Sequence, residues 1–303
     1  MSETVYLESL EASEVILESL SPPVRNWFKD KFPDFTDPQK MAIPTIIEKE
    51  HLLLCSPTGS GKTLTAFLSI IDELVTKALN GDLEKRVYCV YISPIKALAN
   101  DIQRNLIGPL NEINEGYLPS RAQEIRVGLR TGDTSQSDRQ KMLRKPPHIL
   151  ITTPESMSLA LGSKRFRPLM NKLRWLVLDE LHSIVPTKRG TLLSLSLSLL
   201  DSLIETPVQR IGISATMEPL EEVGKFLVPA DDSSTVFIAK VSGNRELDLD
   251  IILPHTRFGD PTFDYKQILA ANIERILDLI EAHTTTIVFV NTRRMTEEVV
   301  KEL

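Results

Sequence analysis

The chain has 303 residues, 42% of them hydrophobic and 25% charged, with a formal net charge of −6. This is a globular composition, which excludes a disordered, fibrous or wholly basic nucleic-acid-coating protein but leaves room for a locally basic groove. The length suits about two domains, and no apolar run approaches the roughly 20 residues that span a bilayer.

The start, MSETVYLESLEASEVILESL, is acidic and amphipathic rather than a secretory signal, and residues 1–34 read as a helical lead-in. Strand-like apolar runs follow at Leu52–Cys55, Val87–Ser93, Ile125–Leu129, Ile149–Thr152, Trp175–Leu178 and Arg210–Ser214. Helix-patterned stretches separate them, among them Thr63–Ala78, Ala97–Leu106, Ser135–Leu143 and Leu220–Leu227. This alternation predicts an α/β fold with a mostly parallel sheet covered by helices on both faces. Residues 193–200, LSLSLSLL, alternate with period 2, but Leu193, Leu197, Leu200 and Ile204 also share one helical face, and a helix is expected. The polar stretch Pro229–Ser234 marks a domain boundary, with one domain over 35–230 and the start of another over 231–303. That second part reads as strands Thr235–Val241 and Leu247–Leu253, a helix from Tyr265 to Ala282, a strand Thr286–Val290 and a last helix to Leu303. It stops in mid-pattern, as an α/β domain begun but not finished. Cys55 and Cys89 fall in strands and read as reduced core thiols, the five histidines show no metal-ligand spacing, and a cytoplasmic protein is expected.

The stretch SPTGSGKT at 56–63 lies between an apolar run and a helix. Gly59, Gly61, Lys62 and Thr63 fit the phosphate-loop pattern, with Ser56 in place of its first glycine, and Thr58 and Ser60 complete the loop. Backbone N–H groups of such a loop point at phosphate oxygens and the helix N-terminus adds positive charge. Lys62 suits the β- and γ-phosphates, and the Thr63 hydroxyl suits Mg²⁺. In WLVLDELH at 175–182, Asp179 and Glu180 arrive at the C-terminal end of a buried strand, where open α/β sheets bind ligands. Asp179 suits Mg²⁺ and Glu180 suits an attacking water as its base.

SPTGSGKT, SPIKALAND, TTPES, DELH and ISAT, in this order, resemble the first motor domain of a superfamily 2 DExD/H helicase over roughly residues 35–295. The phrases ISPIKALANDIQRNL, VLDELHSIVPTKRGTLLSLSLSLL, ISATMEPLEEVGKFL and TTTIVFVNTRRMTEEVV are most similar to the large helicase-related (Lhr) family. The resemblance implies RecA-like domains with ATP and Mg²⁺ between them, and an ATP-dependent helicase that moves on nucleic acid, 3′ to 5′ on DNA in repair or recombination. It implies Gln39 of FTDPQKMAIP as the adenine reader, with Phe35 as its aromatic partner, and His182 as the link from the metal site to the inter-domain cleft. Ser214 and Thr216 of SAT would couple hydrolysis to movement.

The implied nucleic-acid track runs through Pro94, Lys96 and Ala97 of SPIKALA, Gly132 of RTGDT, and Thr153, Pro154 and Glu155 of TTPES. Asn291, Thr292 and Arg293 continue it in the second domain. Loops and helix starts of this kind hold a strand by its backbone without reading bases. The basic clusters Arg139/Lys141, Arg144/Lys145 and Lys164/Arg165/Arg167 read as solvated surface. Two other readings stay open: an RNA helicase, since backbone contacts do not separate RNA from DNA, and a non-motor binding module, since the cross-cleft arginines of the family pattern are not in these 303 residues. A P-loop kinase would need neither the SAT nor the track motifs.

Overall fold

The computed structural model describes residues 3–57, 59–94, 102–215, 217–229, 234–241, 248–251 and 265–303. They divide into two units, Met1–Gly243 and Asn244–Leu303.

The first unit is built on an eight-stranded, all-parallel sheet: β1 (Glu3–Tyr6), β2 (His51–Cys55), β3 (Cys89–Ile92), β4 (Val127–Arg130), β5 (Ile149–Thr152), β6 (Trp175–Leu178), β7 (Gln209–Ser214) and β8 (Thr235–Lys240). Their spatial order is β1-β8-β2-β7-β6-β3-β5-β4. The central strands are apolar at nearly every position because both faces are covered. Alternate residues feed two separate cores. Leu52, Leu54, Tyr91, Ile149, Ile151, Trp175 and Val177 enter one with Phe67, Ile70 and Leu74 of the helix Lys62–Asn80. Leu53, Cys55, Val90, Leu150, Leu176 and Leu178 enter the other with Met157, Leu193, Leu197 and Leu220. Each fully buried Leu or Ile contributes about 2 kcal/mol through removal of apolar area from water.

The stretch LSLSLSLL is helical, within Lys188–Asp201. Leu193, Leu197 and Leu200 are buried as the helical spacing predicts, while the period-2 partners Leu195 and Leu199 are exposed. Burying one stripe outweighs the local strand pattern, because the helix can lay that stripe on the sheet and leave the remaining leucines in water.

Three expectations are corrected. The lead-in opens with a strand rather than a helix: β1 pairs with β8 over Glu3↔Thr235 to Tyr6↔Ile238. The segment assigned to the second domain at Thr235–Val241 is β8, which pairs with β2 and so belongs to the first unit. The division falls after Gly243 rather than in the turn-rich stretch before β8, of which residues 230–233 lie outside the described residues. In the second unit, the helices Tyr265–Ala282 and Arg293–Glu302 form as expected. The expected strand at residues 286–290 does not form, and 248–251 carry no strand either. Residues 247, 252 and 253 lie outside the described residues.

Candidate functional site

A parallel sheet brings the C-terminal ends of all its strands to one edge, and here the strand order sorts the motifs along it. The phosphate loop follows β2, SAT follows β7 and DELH follows β6, three neighbouring strands. The loops SPIK, TTPES and RTGDT follow β3, β5 and β4, the next three in the row. Register keeps the ends level: Cys55 lies opposite Ser214, Leu178 opposite both Gly212 and Ile92, and Thr152 opposite both Ile92 and Arg130. At about 4.8 Å per strand step, the five steps from β2 to β4 span roughly 24 Å.

In the phosphate loop Gly59 and Gly61 adopt φ of +80° and +86°, backbone that a side chain would strain. Gly61 has a second constraint, since a Cβ there would meet the Gln39 amide nitrogen at 3.2 Å. The Lys62 ammonium donates to the carbonyls of Ser56 and Pro57, both at 2.6 Å, while the Ser60 hydroxyl lies 2.7 Å from that of Ser56 and donates to Pro57 O. Thr63 follows Lys62 in the first turn of the helix. Thr58 lies outside the described residues.

Gln39 is packed against this loop and only 4% exposed. Its Oε1 accepts from the Thr36 backbone N–H in a capping box that opens the helix Asp37–Ile47, and the Thr36 hydroxyl donates to Ser60 O. An amide oxygen has two lone pairs, so Oε1 retains one acceptor direction and Nε2 remains a donor beside Gly61. Phe35 does not present its ring as expected. It stacks on Phe28 with centroids 4.0 Å apart, inside the core formed with Trp27. Flanked in sequence by Asp34 and Thr36, Phe35 gains from core burial against Phe28 in a way its local sequence does not reveal.

Asp179 is 4% exposed; its Oδ2 accepts from the Tyr91 hydroxyl and its Oδ1 from the Glu180 backbone N–H. Glu180 has φ 55° and ψ 38°, left-handed backbone that costs a non-glycine residue about 1–2 kcal/mol. Such strain clusters where a side chain must be aimed. The Glu180 carboxylate lies 3.2 Å from His182 Nε2. Meanwhile His182 Nδ1 accepts from the Ala215 N–H at 3.2 Å, and Ser214 Oγ accepts from the His182 backbone N–H. An acceptor at Nδ1 places the imidazole proton on Nε2, which then donates to Glu180. DELH and SAT are thus joined through one histidine, on the Ser214 side; Thr216 lies outside the described residues.

The donor set suits magnesium. A hydroxyl and a carboxylate are hard oxygen ligands, and no group of three or more His, Cys, Asp or Glu that could cage a metal occurs among the described residues.

On the track side, Thr153 caps the helix Pro154–Leu161 by accepting from Ser156 N. Gly132 is open, with nothing near a built Cβ. The Glu155 carboxylate is engaged by Arg189, which also donates to Pro94 O. Arg139, read from sequence as solvated surface, instead donates to the carbonyls of Thr131 and Gly132 and stiffens RTGDT. Arg130 is buried with its guanidinium 4.4 Å over Phe166, and burial lowers its pKa, Arg139 adding to the effect. Sequence reading missed Arg130 and Arg189. The signal available for Arg189 was its place before Gly190 in KRG. Lys96 and Ala97 lie outside the described residues, and in the second unit Thr292 caps its helix by accepting from Met295 N, with Asn291 before it and Arg293 opening the helix.

Comparison with known proteins agrees with this arrangement. Residues 36–223 match the DEAD/DEAH box helicase family. The chain is 48% identical over 299 residues to the ATP-dependent helicase Lhr-Core of Methanothermobacter thermautotrophicus, covering 98% of this chain and 34% of that protein. Against Lhr-Core of Methanocaldococcus jannaschii the identity is 44% over 302 residues, covering 99% of this chain and 35% of the other. A solved structure of Mycobacterium smegmatis helicase Lhr bound to ssDNA and AMP-PNP superposes with a TM-score of 0.78 at 40% identity, over 94% of this chain and 36% of that one. The chain therefore spans about a third of the length of the curated relatives it matches.

Proposed function

The chain belongs to the DEAD/DEAH box helicase family, and from that premise we propose that it is the ATP- and single-strand-binding core of an ATP-dependent DNA helicase of Lhr type. The observation that carries this reading is the strand order, which aligns phosphate loop, SAT and DELH with SPIK, TTPES and RTGDT along one sheet edge. The Lhr relative whose structure holds ssDNA and AMP-PNP supports it.

In this reading Lys62 exchanges the neutral carbonyls of Ser56 and Pro57 for charged β- and γ-phosphate oxygens. Charge-assisted bonds of this kind are about twice as strong as neutral ones. Gln39 donates to the adenine edge from Nε2. Thr63 and Asp179 hold magnesium, which when bound withdraws negative charge from the transferring phosphate. Glu180 accepts the proton of the attacking water, and His182 orients it through Nε2 while sensing the SAT strand through Nδ1. The single strand runs across Pro94, Lys96, Ala97, Gly132, Thr153 and Pro154; in the second unit, Asn291, Thr292 and Arg293 are assigned backbone contacts of the same kind. Movement is 3′ to 5′, and the cellular setting is repair or recombination in the cytoplasm. No helix among the described residues is long and apolar enough to cross a membrane.

The test is a titration of labelled single-stranded DNA and RNA into the chain with an ATP analogue and Mg²⁺, at two salt concentrations. Phosphate contacts predict affinity that falls steeply with salt and depends little on base sequence. Binding neither strand would overturn the reading, and preference for RNA would reassign the substrate. Polarity is read by strand displacement on 3′- and 5′-tailed duplexes with ATP.

A further inference from the structure

We infer that Arg189 is a positioning residue that latches two nucleic-acid loops onto the element carrying Glu180 and His182; the inference rests on the track reading above. Arg189 lies at the start of the helix Lys188–Asp201, 34 residues from Glu155 and 95 from Pro94 in sequence. Its guanidinium binds Glu155 as a fork, Nε to Oε1 at 2.6 Å and Nη2 to Oε2 at 3.1 Å. The same Nη2 donates to the Pro94 carbonyl at 2.9 Å. One side chain thereby ties Pro94 of SPIK to the first turn of the TTPES helix. Each partner shifts the other's pKa in the direction of a formed pair, Glu155 downward and Arg189 upward.

The latch is mounted rigidly on the hydrolysis side. The turn Leu181–Ile184, which holds His182, runs through Val185–Thr187 into the Arg189 helix. The Thr187 hydroxyl donates to Ile184 O and accepts from Arg189 N. Gly190 packs so closely that a Cβ would fall 2.6 Å from Val185 O and 2.7 Å from Ile184 O. A displacement of the DELH turn therefore carries Arg189, and with it the SPIK and TTPES loops.

The rival role for an exposed arginine here is a direct phosphate contact, and the two roles differ in sign at Glu155. If Arg189 simply faced phosphate, Glu155→Gln would remove a repelling charge and tighten binding. As a latch, the same change loosens both loops and weakens it. Arg189→Lys likewise keeps the charge but loses the planar fork.

The experiment measures anisotropy of a labelled single-stranded oligonucleotide and affinity for a fluorescent ATP analogue, with melting temperature, for the chain and three variants. Arg189→Gln, Arg189→Lys and Glu155→Gln should each weaken oligonucleotide binding by roughly three- to thirtyfold, the range of mutations that act through coupling. ATP-analogue affinity should stay within twofold, since none of these groups touches the phosphate loop. Wild-type affinity in Arg189→Lys, or tighter binding in Glu155→Gln, would overturn the latch, as would no effect in Arg189→Gln. A parallel loss of ATP-analogue affinity and melting temperature would overturn it too, by exposing a general structural role. Absence of oligonucleotide binding by the unmodified chain would instead overturn the track reading beneath it.

Discussion

Gly190→Ala tests whether the DELH turn and the helix after it are one rigid piece. The added methyl would sit 2.6 and 2.7 Å from two backbone carbonyl oxygens and 3.0 Å from Val185 Cα. None of these is the end of a flexible side chain, so relief requires the helix start to move away from the turn. Overpacking of this kind costs about 1–3 kcal/mol, and the tight backbone contacts place this site near the upper end. Against it stands the gain of about 1 kcal/mol when alanine replaces glycine inside a helix. The expected net loss is about 2 kcal/mol, which for a unit of this size lowers the melting temperature by roughly 4–8 °C. Gly116→Ala is the control, because that glycine lies in a terminal turn of a helix, the last rather than the first, and an added Cβ there would meet nothing within 4 Å. It should leave stability unchanged or slightly raised. Thermal and urea unfolding of the two variants beside the wild-type chain measure both. A Gly190→Ala protein as stable as the control would refute the rigid-mount argument, and with it the mechanical basis assigned to Arg189.

Lys62→Ala should weaken an ATP analogue by at least about tenfold, since a single charge-assisted contact is worth about 1.5–3 kcal/mol; unchanged affinity would remove the phosphate-loop assignment. Glu180→Gln should abolish most hydrolysis while ATP affinity stays within a few-fold, and near-normal turnover would point to another base. His148 is buried, and burial, then the Arg126 charge, holds its pKa down at about 4. Its folded pKa lies below the unfolded value, so the unfolded chain binds the proton first and stability falls as pH drops from 6.5 toward 4. The loss between pH 7.5 and 5 is about 2 kcal/mol. The urea midpoint should show this slope in the wild type and lose it in His148→Gln; equal slopes would assign the acid sensitivity elsewhere.

The alternation of apolar runs with helix-patterned stretches was enough to foresee a parallel α/β sheet, because strands buried on both faces must be apolar throughout. Motif chemistry was legible for the same reason: Gly59 and Gly61, at positive φ, and Lys62 follow from what a phosphate loop requires locally. Asp179 and Glu180 were placed by the rule that ligands meet strands at their C-terminal ends. Even LSLSLSLL yielded to its longer spacing. What depends on distant partners was not legible. β8 looked like the opening of a new domain because nothing local says that it pairs with β2, 184 residues upstream from Thr235 to His51. Phe35 looked like a free aromatic because nothing local says that it stacks on Phe28. The pairing of Glu155 with Arg189, 34 residues further on, likewise carries no local signal. Local conformation follows from the φ/ψ demands and burial pattern of adjacent residues, which sequence carries directly. Strand order, and the pairing of charges across it, follow from which closed arrangement buries both cores at once, and only the tertiary structure decides that.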